Sequence, residues 1–176
     1  MDDVAAAARV SKQTIYTHFA DKEELFWDLV LGNAARVSEF AGMLAPAAEG
    51  DADVASRLQE LGQRYVAFVV RPEVVQLRRL VIGEAARFPT LAQAYFEQVT
   101  ERACELLAGL FRDLAERGEL AVDDPLMAAY QFAWLTLGRP LDRAMFQGAP
   151  DPGGAAASAA IVEAGVRTFL AAYGQD

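Results

Sequence analysis

Between Ser11 and Lys22 the chain carries polar side chains whose types and spacing suit the surface of a nucleic acid. Ser11 is a good helix N-cap, because its hydroxyl can accept an amide that the first turn leaves unpaired, so a helix is expected over Lys12 to Phe19. On such a helix Lys12, Gln13, Thr14 and Thr17 fall on the outer face. Lys and Gln can hydrogen-bond base edges in a major groove, Gln most naturally adenine, and Thr methyls can touch the thymine methyl. Ser11, Tyr16, His18 and Lys22 are placed to hold phosphate oxygens, which fixes register without reading sequence. Taken singly, each has a plainer reading. Lys12 and Gln13 are ordinary residues of a capped surface helix, and Tyr16 suits half-buried packing equally well. No carboxylate or nucleophile has an evident fixed place beside His18, so a catalytic base is not expected there.

The elements that must position these groups are helices. No segment sustains the alternation expected of strands, whereas helical spacing of apolar residues recurs from end to end, so the fold class is all-α. A first helix is expected over Asp2 to Ala8, separated by a very short turn from the helix capped by Ser11. Val4, Ala8, Val10, Ile15 and Phe19 would form the apolar seam between the two. A third helix opens near Asp21, with Asp21, Glu23 and Glu24 in the first turn where the helix dipole favours negative charge. Its stripe of Leu25, Phe26, Leu29, Val30, Val37, Phe40, Ala41 and Leu44 makes one helix long enough to join head to body. Residues 45 to 53 read as a loop. Helices follow over Val54 to about Pro72, Glu73 to Arg87 and Pro89 to Gly118, with a bend at Phe88-Pro89. A further helix from about Asp124 to Gln147 is apolar on nearly every side over Leu126 to Leu137. After a loop over residues 149 to 154, a last helix from Ala155 to Tyr173 presents Ile161, Val162, Val166, Phe169, Leu170 and Tyr173.

Composition narrows the function. With 176 residues and 53% hydrophobic content the chain can bury a core of one or two domains. No apolar run approaches the roughly 18 to 20 residues that span a bilayer, and Asp2 and Asp3 stand where a secretory signal carries positive charge, so a cytoplasmic protein is expected. One cysteine, Cys104, and one histidine, His18, leave too few soft ligands for an ordinary zinc site, and Cys104 reads as a small core hydrophobe. No metal or other cofactor is expected. The net charge of -9 falls entirely on residues 23 to 176, because in residues 1 to 22 Asp2, Asp3 and Asp21 balance Arg9, Lys12 and Lys22. A neutral head on an acidic body confines any phosphate contact to the head.

The segment MDDVAAAARVSKQTIYTHFADKEEL resembles the helix-turn-helix of the tetracycline-repressor (TetR) family of transcriptional regulators. Val4, Ala5, Ala8, Val10, Ser11, Tyr16, Phe19, Lys22 and Leu25 stand where that pattern places them. Two departures matter. Arg9 occupies the middle of the turn, where the family commonly has Gly, and a left-handed backbone there costs a non-Gly residue about 1 to 2 kcal/mol. The family's first helix also has no counterpart ahead of Met1, so the head is expected to lack part of its usual support, and Met1 is read as an internal methionine or a trimmed end. In the body, the segment from Gln76 to Phe96, QLRRLVIGEAARFPTLAQAYF, resembles the C-terminal domain of one TetR subfamily, in which a run matching Arg79-Leu80-x-x-x-Glu84-x-x-Arg87-Phe88-Pro89 joins two helices. Glu84 within it is expected to pair with Arg87 or Arg102, to face water, or to meet a cationic ligand.

The resemblance implies a DNA-binding head over residues 1 to 25 and a ligand-binding, dimerising helical bundle over 26 to 176. It implies a one-component regulator, a repressor that binds operator DNA as a homodimer and is released by a small-molecule effector. Tyr65, Phe68, Leu80, Phe96, Phe111, Tyr130 and Trp134 are candidate pocket walls, with plain core packing as the alternative for each. The last two helices are expected to pair with their copies in a two-fold four-helix bundle, with Phe169 in the interface. Two other functions stand beside it: a helical dimer that binds a small molecule or protein without DNA, and an enzyme. The sequence offers the enzyme no nucleophile with a base, no phosphate loop and no metal constellation.

Overall fold

A computed structural model describes residues 1–32, 34–49, 52–147 and 154–175. Among them the chain is helical, apart from an isolated antiparallel bridge between Leu120 and Gly174. The helices are α1 (Asp2–Ala8), α2 (Lys12–His18), α3 (Lys22–Leu31), α4 (Ala34–Glu49), α5 (Val54–Val69), α6 (Pro72–Glu84), α7 (Pro89–Tyr95), α8 (Arg102–Glu116), α9 (Pro125–Gln147) and α10 (Gly154–Tyr173), with a π-helical segment over Phe96–Glu101 between α7 and α8. The side chain of Val37 and the 149–153 stretch lie outside the described residues.

The main core lies among α4, α5, α8, α9 and α10. At its centre Phe111, Phe132 and Phe169 meet with ring centroids 5.0 to 5.4 Å apart, and Tyr173 stacks against Phe169 at 4.8 Å. Phe169 is therefore 1% exposed in its own chain, which corrects the expectation that it faces a second subunit. A stripe on a terminal helix shows that the helix is covered but not by which chain. Two glycines let the helices approach. A Cβ on Gly62 would stand 2.7 Å from Val162 Cγ1, and one on Gly165 would stand 2.7 Å from the Leu135 carbonyl oxygen. A smaller cluster of Val30, Leu77, Val81, Leu91 and Tyr95, flanked by Phe26, Trp27, Phe88, Ala92 and Val99, ties α3 to α6 and α7.

Three boundaries differ from the sequence expectation. The helix expected from Asp21 past Leu44 is two, because α3 ends at Leu31 with Gly32 as its C-cap. Residues 45 to 49 are helix, with Pro46 inside α4. Pro46 removes one amide, but the last carbonyls of α4 find donors from elsewhere: Arg57 Nη1 donates to Ala47 O at 3.0 Å, and Arg117 Nη1 to Ala48 O. Both arginines pair with Glu119, so a buried guanidinium anchors a helix end that the sequence marks as a loop. The helix expected over Pro89 to Gly118 is interrupted by the π segment before Gly118, at φ 72°, closes it.

Candidate nucleic-acid interface and ligand cavity

The head is built around one tight turn. α1 ends in a left-handed residue, Arg9 (φ 56°, ψ 39°), whose amide donates to Ala6 O at 3.2 Å while Val10 N–H donates to Ala5 O at 3.0 Å. This Schellman pairing satisfies carbonyls that α1 would otherwise leave open, which offsets the strain of a non-Gly residue there. Ser11 then caps α2 as expected: its backbone is extended and its Oγ accepts Thr14 N–H at 3.0 Å. Asp21 caps α3 by accepting Glu24 N–H at 2.8 Å, while the Glu24 carboxylate reaches back to Ala20 N–H. Both entry points to the polar stretch are thus fixed by side-chain caps.

Ser11, Lys12, Gln13, Thr14, Tyr16, Thr17, His18 and Lys22 are all solvent-exposed. Thr17 Oγ1 donates to Gln13 O at 3.0 Å, and the Ser11 and Thr14 hydroxyls lie 2.7 Å apart. Lys12 Nζ pairs with Asp2 at 3.0 Å, an exposed contact that raises the lysine pKa and lowers that of the carboxyl, first through the hydrogen bond and then through the charges. Exposed pairs of this kind are weak, so Lys12 can exchange Asp2 for a phosphate at little cost. The seam between α1 and α2 is narrower than the sequence suggests. Ala5 and Ile15 are buried and Phe19 is half-buried, whereas Ala8 is exposed, as are Val4 (41%) and Val10 (42%). Two seven-residue helices crossing at a turn shield little more than one residue each.

The Arg79-to-Pro89 motif supplies the junction between head and body. Arg79 donates from Nε and Nη2 to the carbonyls of Ala144 and Met145 at 2.7 to 2.9 Å, capping the end of α9 from α6. Arg87 pairs with Glu84 at 3.8 Å and lies 5.0 Å over the ring of Phe88. Phe88 meets Phe26 of α3 edge to face, with centroids 5.7 Å apart. No sequence pattern pointed to Phe26 as its partner.

Behind this junction lies a cavity of about 310 Å³ among α4, α5, α6, α7, the π segment, α8 and α9. Tyr65, Phe68, Phe96, Tyr130 and Trp134 line it, together with residues that sequence reading missed, including Phe40, Leu77, Arg78, Tyr95, Val99, Glu101 and Leu141. Leu80 and Phe111 stand outside it. Leu80 sits on the exposed side of α6, and Phe111 is wholly buried in the aromatic core. The π segment contributes Phe96, Val99, Thr100 and Glu101 to the wall. Such segments recur at functional sites because the extra residue per turn re-aims side chains. Tyr130 Oη donates to the Glu101 carboxylate, a bond that pushes the Tyr130 pKa up to about 12, with burial and the Glu101 charge adding to it. Burial, with the nearby Glu101 charge, pushes the Cys104 thiol up to about 11. Among the described residues no group of His, Cys, Asp and Glu is placed to hold a metal, and no helix is long and apolar enough to cross a membrane.

Comparison with known proteins agrees with this geometry. Residues 1–29 match the model of bacterial regulatory proteins of the tetR family, and residues 56–175 match that of the AefR-like transcriptional repressor C-terminal domain. A TetR-family regulator from Mesorhizobium loti MAFF303099 is 35% identical, with a TM-score of 0.90 over 99% of this chain and 86% of that one. The flavonoid-responsive regulator FrrA is 30% identical (TM-score 0.73; 99% and 86% covered), and a TetR-family regulator from Pseudomonas syringae pv. tomato str. DC3000 is 25% identical (TM-score 0.72; 99% and 85% covered). No curated protein matches the chain. A capped helix-turn-helix joined through α3 to a hollow helical body, matched by family models at both ends, makes the chain a member of the TetR family of transcriptional regulators.

Proposed function

We propose that this regulator is a cytoplasmic repressor, with residues 1 to 25 binding operator DNA and residues 26 to 176 dimerising and sensing an effector in the cavity. Lys12, Gln13, Thr14 and Thr17 enter the major groove, and Ser11, Tyr16, His18 and Lys22 hold the flanking phosphates. Two subunits pair through α9, where Leu135 and Phe146 are exposed, and α10, in a two-fold four-helix arrangement. The dimer sets its two recognition helices about 34 to 36 Å apart, one turn of DNA.

The observation that carries the reading is a shared wall. Leu77, Tyr95 and Val99 line the cavity and also belong to the cluster that grips Val30, Phe26 and Trp27 of α3. An effector that displaces α6 or α7 therefore acts on the helix that leads to the head. It favours a different spacing of the recognition helices only to the extent that it binds that state more tightly. The aromatic lining, with Phe68, Phe96 and Trp134, suits a planar aromatic effector, in keeping with the relative described as flavonoid-responsive. Gel shift on the DNA upstream of the protein's own gene tests the proposal. A shifted complex that Gln13→Ala weakens is expected, and a complex indifferent to every substitution on the α2 face would refute it.

A further inference from the structure

The cavity holds one cation among its described lining residues, Arg78 of α6. Its helical neighbours one turn away, Val74, Val75, Val81 and Ile82, offer no carboxylate. The adjacent Arg79 is engaged by the Ala144 and Met145 carbonyls, whereas Arg78 makes no hydrogen bond or ion pair among the described residues. In a chain with 25 acids against 16 basic residues, an arginine left without an acid beside an apolar cavity is not surplus charge. The carboxylate in the lining, Glu101, is taken by Tyr130.

Tyr65 is the second unused donor. It is 6% exposed, lines the same cavity, and its hydroxyl makes no hydrogen bond among the described residues. Burial raises its pKa, and the Arg78 charge acts in the opposite direction, which places the two groups within electrostatic reach of each other. A guanidinium fork and a phenol O–H, both lacking protein acceptors on an otherwise mostly apolar wall, suit a ligand that brings acceptors.

We propose that the cavity selects an aromatic carboxylate, with its ring against Phe68, Phe96 and Trp134 and its carboxylate held by Arg78 and Tyr65. The planar two-oxygen group matches the guanidinium fork, with Tyr65 donating a further bond. An uncharged ester keeps the ring contacts and loses the ion pair. This inference rests on the reading of the cavity as the effector site and adds the charge of what enters it.

The test is calorimetric titration of the full chain at pH 7 with 4-hydroxycinnamate and with its methyl ester, for wild type, Arg78→Gln, Arg78→Lys and Tyr65→Phe. Thermal melts report whether each variant is folded. Wild type is expected to bind the acid at least about tenfold more tightly than the ester. Arg78→Gln should lose about tenfold for the acid and less than about threefold for the ester, with Arg78→Lys between. Equal affinity for acid and ester, an acid affinity unchanged in Arg78→Gln, or no binding of the acid each overturns the proposal. Gel shift in parallel separates the two claims. Release of DNA by the neutral ester alone removes the carboxylate and leaves the effector site standing. An acid that binds through Arg78 without releasing DNA does the reverse.

Discussion

Replacing Phe88 with Ala should loosen the head from the body without unfolding the body. Phe88 is half-buried, meets Phe26 edge to face at 5.7 Å and carries the Arg87 guanidinium over its ring. An aromatic pair of this geometry contributes about 0.5 to 1.5 kcal/mol beyond its burial. Half the burial of a large apolar side chain adds roughly 1 kcal/mol. The loss is then about 2 kcal/mol, a factor of about 30 in the population of an opened junction. For a chain of this length it lowers Tm by about 4 to 8 °C if the whole unit melts together. Hydrogen exchange followed by mass spectrometry reads the local effect. Amides of α3 should exchange up to about 30-fold faster in Phe88→Ala, while those of α8 and α9 change far less. Phe132→Ala, in the aromatic centre of the main core, serves as contrast: it should cost about 3 to 5 kcal/mol and speed exchange across the body without singling out α3. If α3 exchanges no faster in Phe88→Ala than in wild type, the Phe26 contact does not hold the head, and the proposed route from cavity to DNA fails with it.

Phe169→Glu should unfold the chain, because it places a charge at the contact of Phe111 and Phe132, whereas Leu135→Glu on the exposed face of α9 should leave a folded monomer; light scattering with circular dichroism separates the two outcomes. Arg79→Met keeps an apolar stem but removes the cap on Ala144 and Met145, so a loss of about 1.5 to 3 kcal/mol in denaturant melts is expected, and an unchanged midpoint would show the cap to be idle. Stability should fall at alkaline pH. Cys104 holds its proton to about 11 when folded against 9.0 ordinarily, so between those values the unfolded chain has released a proton that the folded chain retains, and rising pH favours unfolding. Cys104→Ala should make the fall in melting temperature shallower, most clearly between pH 9 and 10, below the range in which the raised Tyr65 and Tyr130 act in the same direction. An identical profile in the variant would remove Cys104 from the explanation.

The Ser11 cap was legible because capping is local chemistry: its side chain reaches three residues along the chain. Asp21, expected in the first turn of its helix, is instead the N-cap of α3, and the left-handed turn at Arg9 was marked by the glycine that the family commonly has there. The polar face of α2 was legible for the same reason. Features set by distant partners were not. Pro46 lies inside a helix whose last carbonyls take donors from Arg57, ten residues beyond Ala47, and from Arg117, the C-cap of α8. The apolar period runs unbroken through Gly32 and through Phe96–Glu101, so neither the break after α3 nor the π segment leaves a mark on it. Aromatic type alone gathered Phe111 with Tyr65, Phe68, Phe96, Tyr130 and Trp134, although it packs into the core while the others line a cavity. Arg78 was missed because a charged residue on an amphipathic helix looks solvated until the space beside it is known.

The proposed repression depends on the exposed face of α2 lying in the major groove of DNA, twice, one turn apart. Hydroxyl-radical footprinting on the region upstream of the gene measures this directly. Two protected patches centred about 10 to 10.5 base pairs apart are expected, both lost with Gln13→Ala combined with Thr17→Ala, in a protein whose melting curve is unchanged. A single patch, a spacing unrelated to the helical repeat, or protection that survives the double substitution would contradict the account.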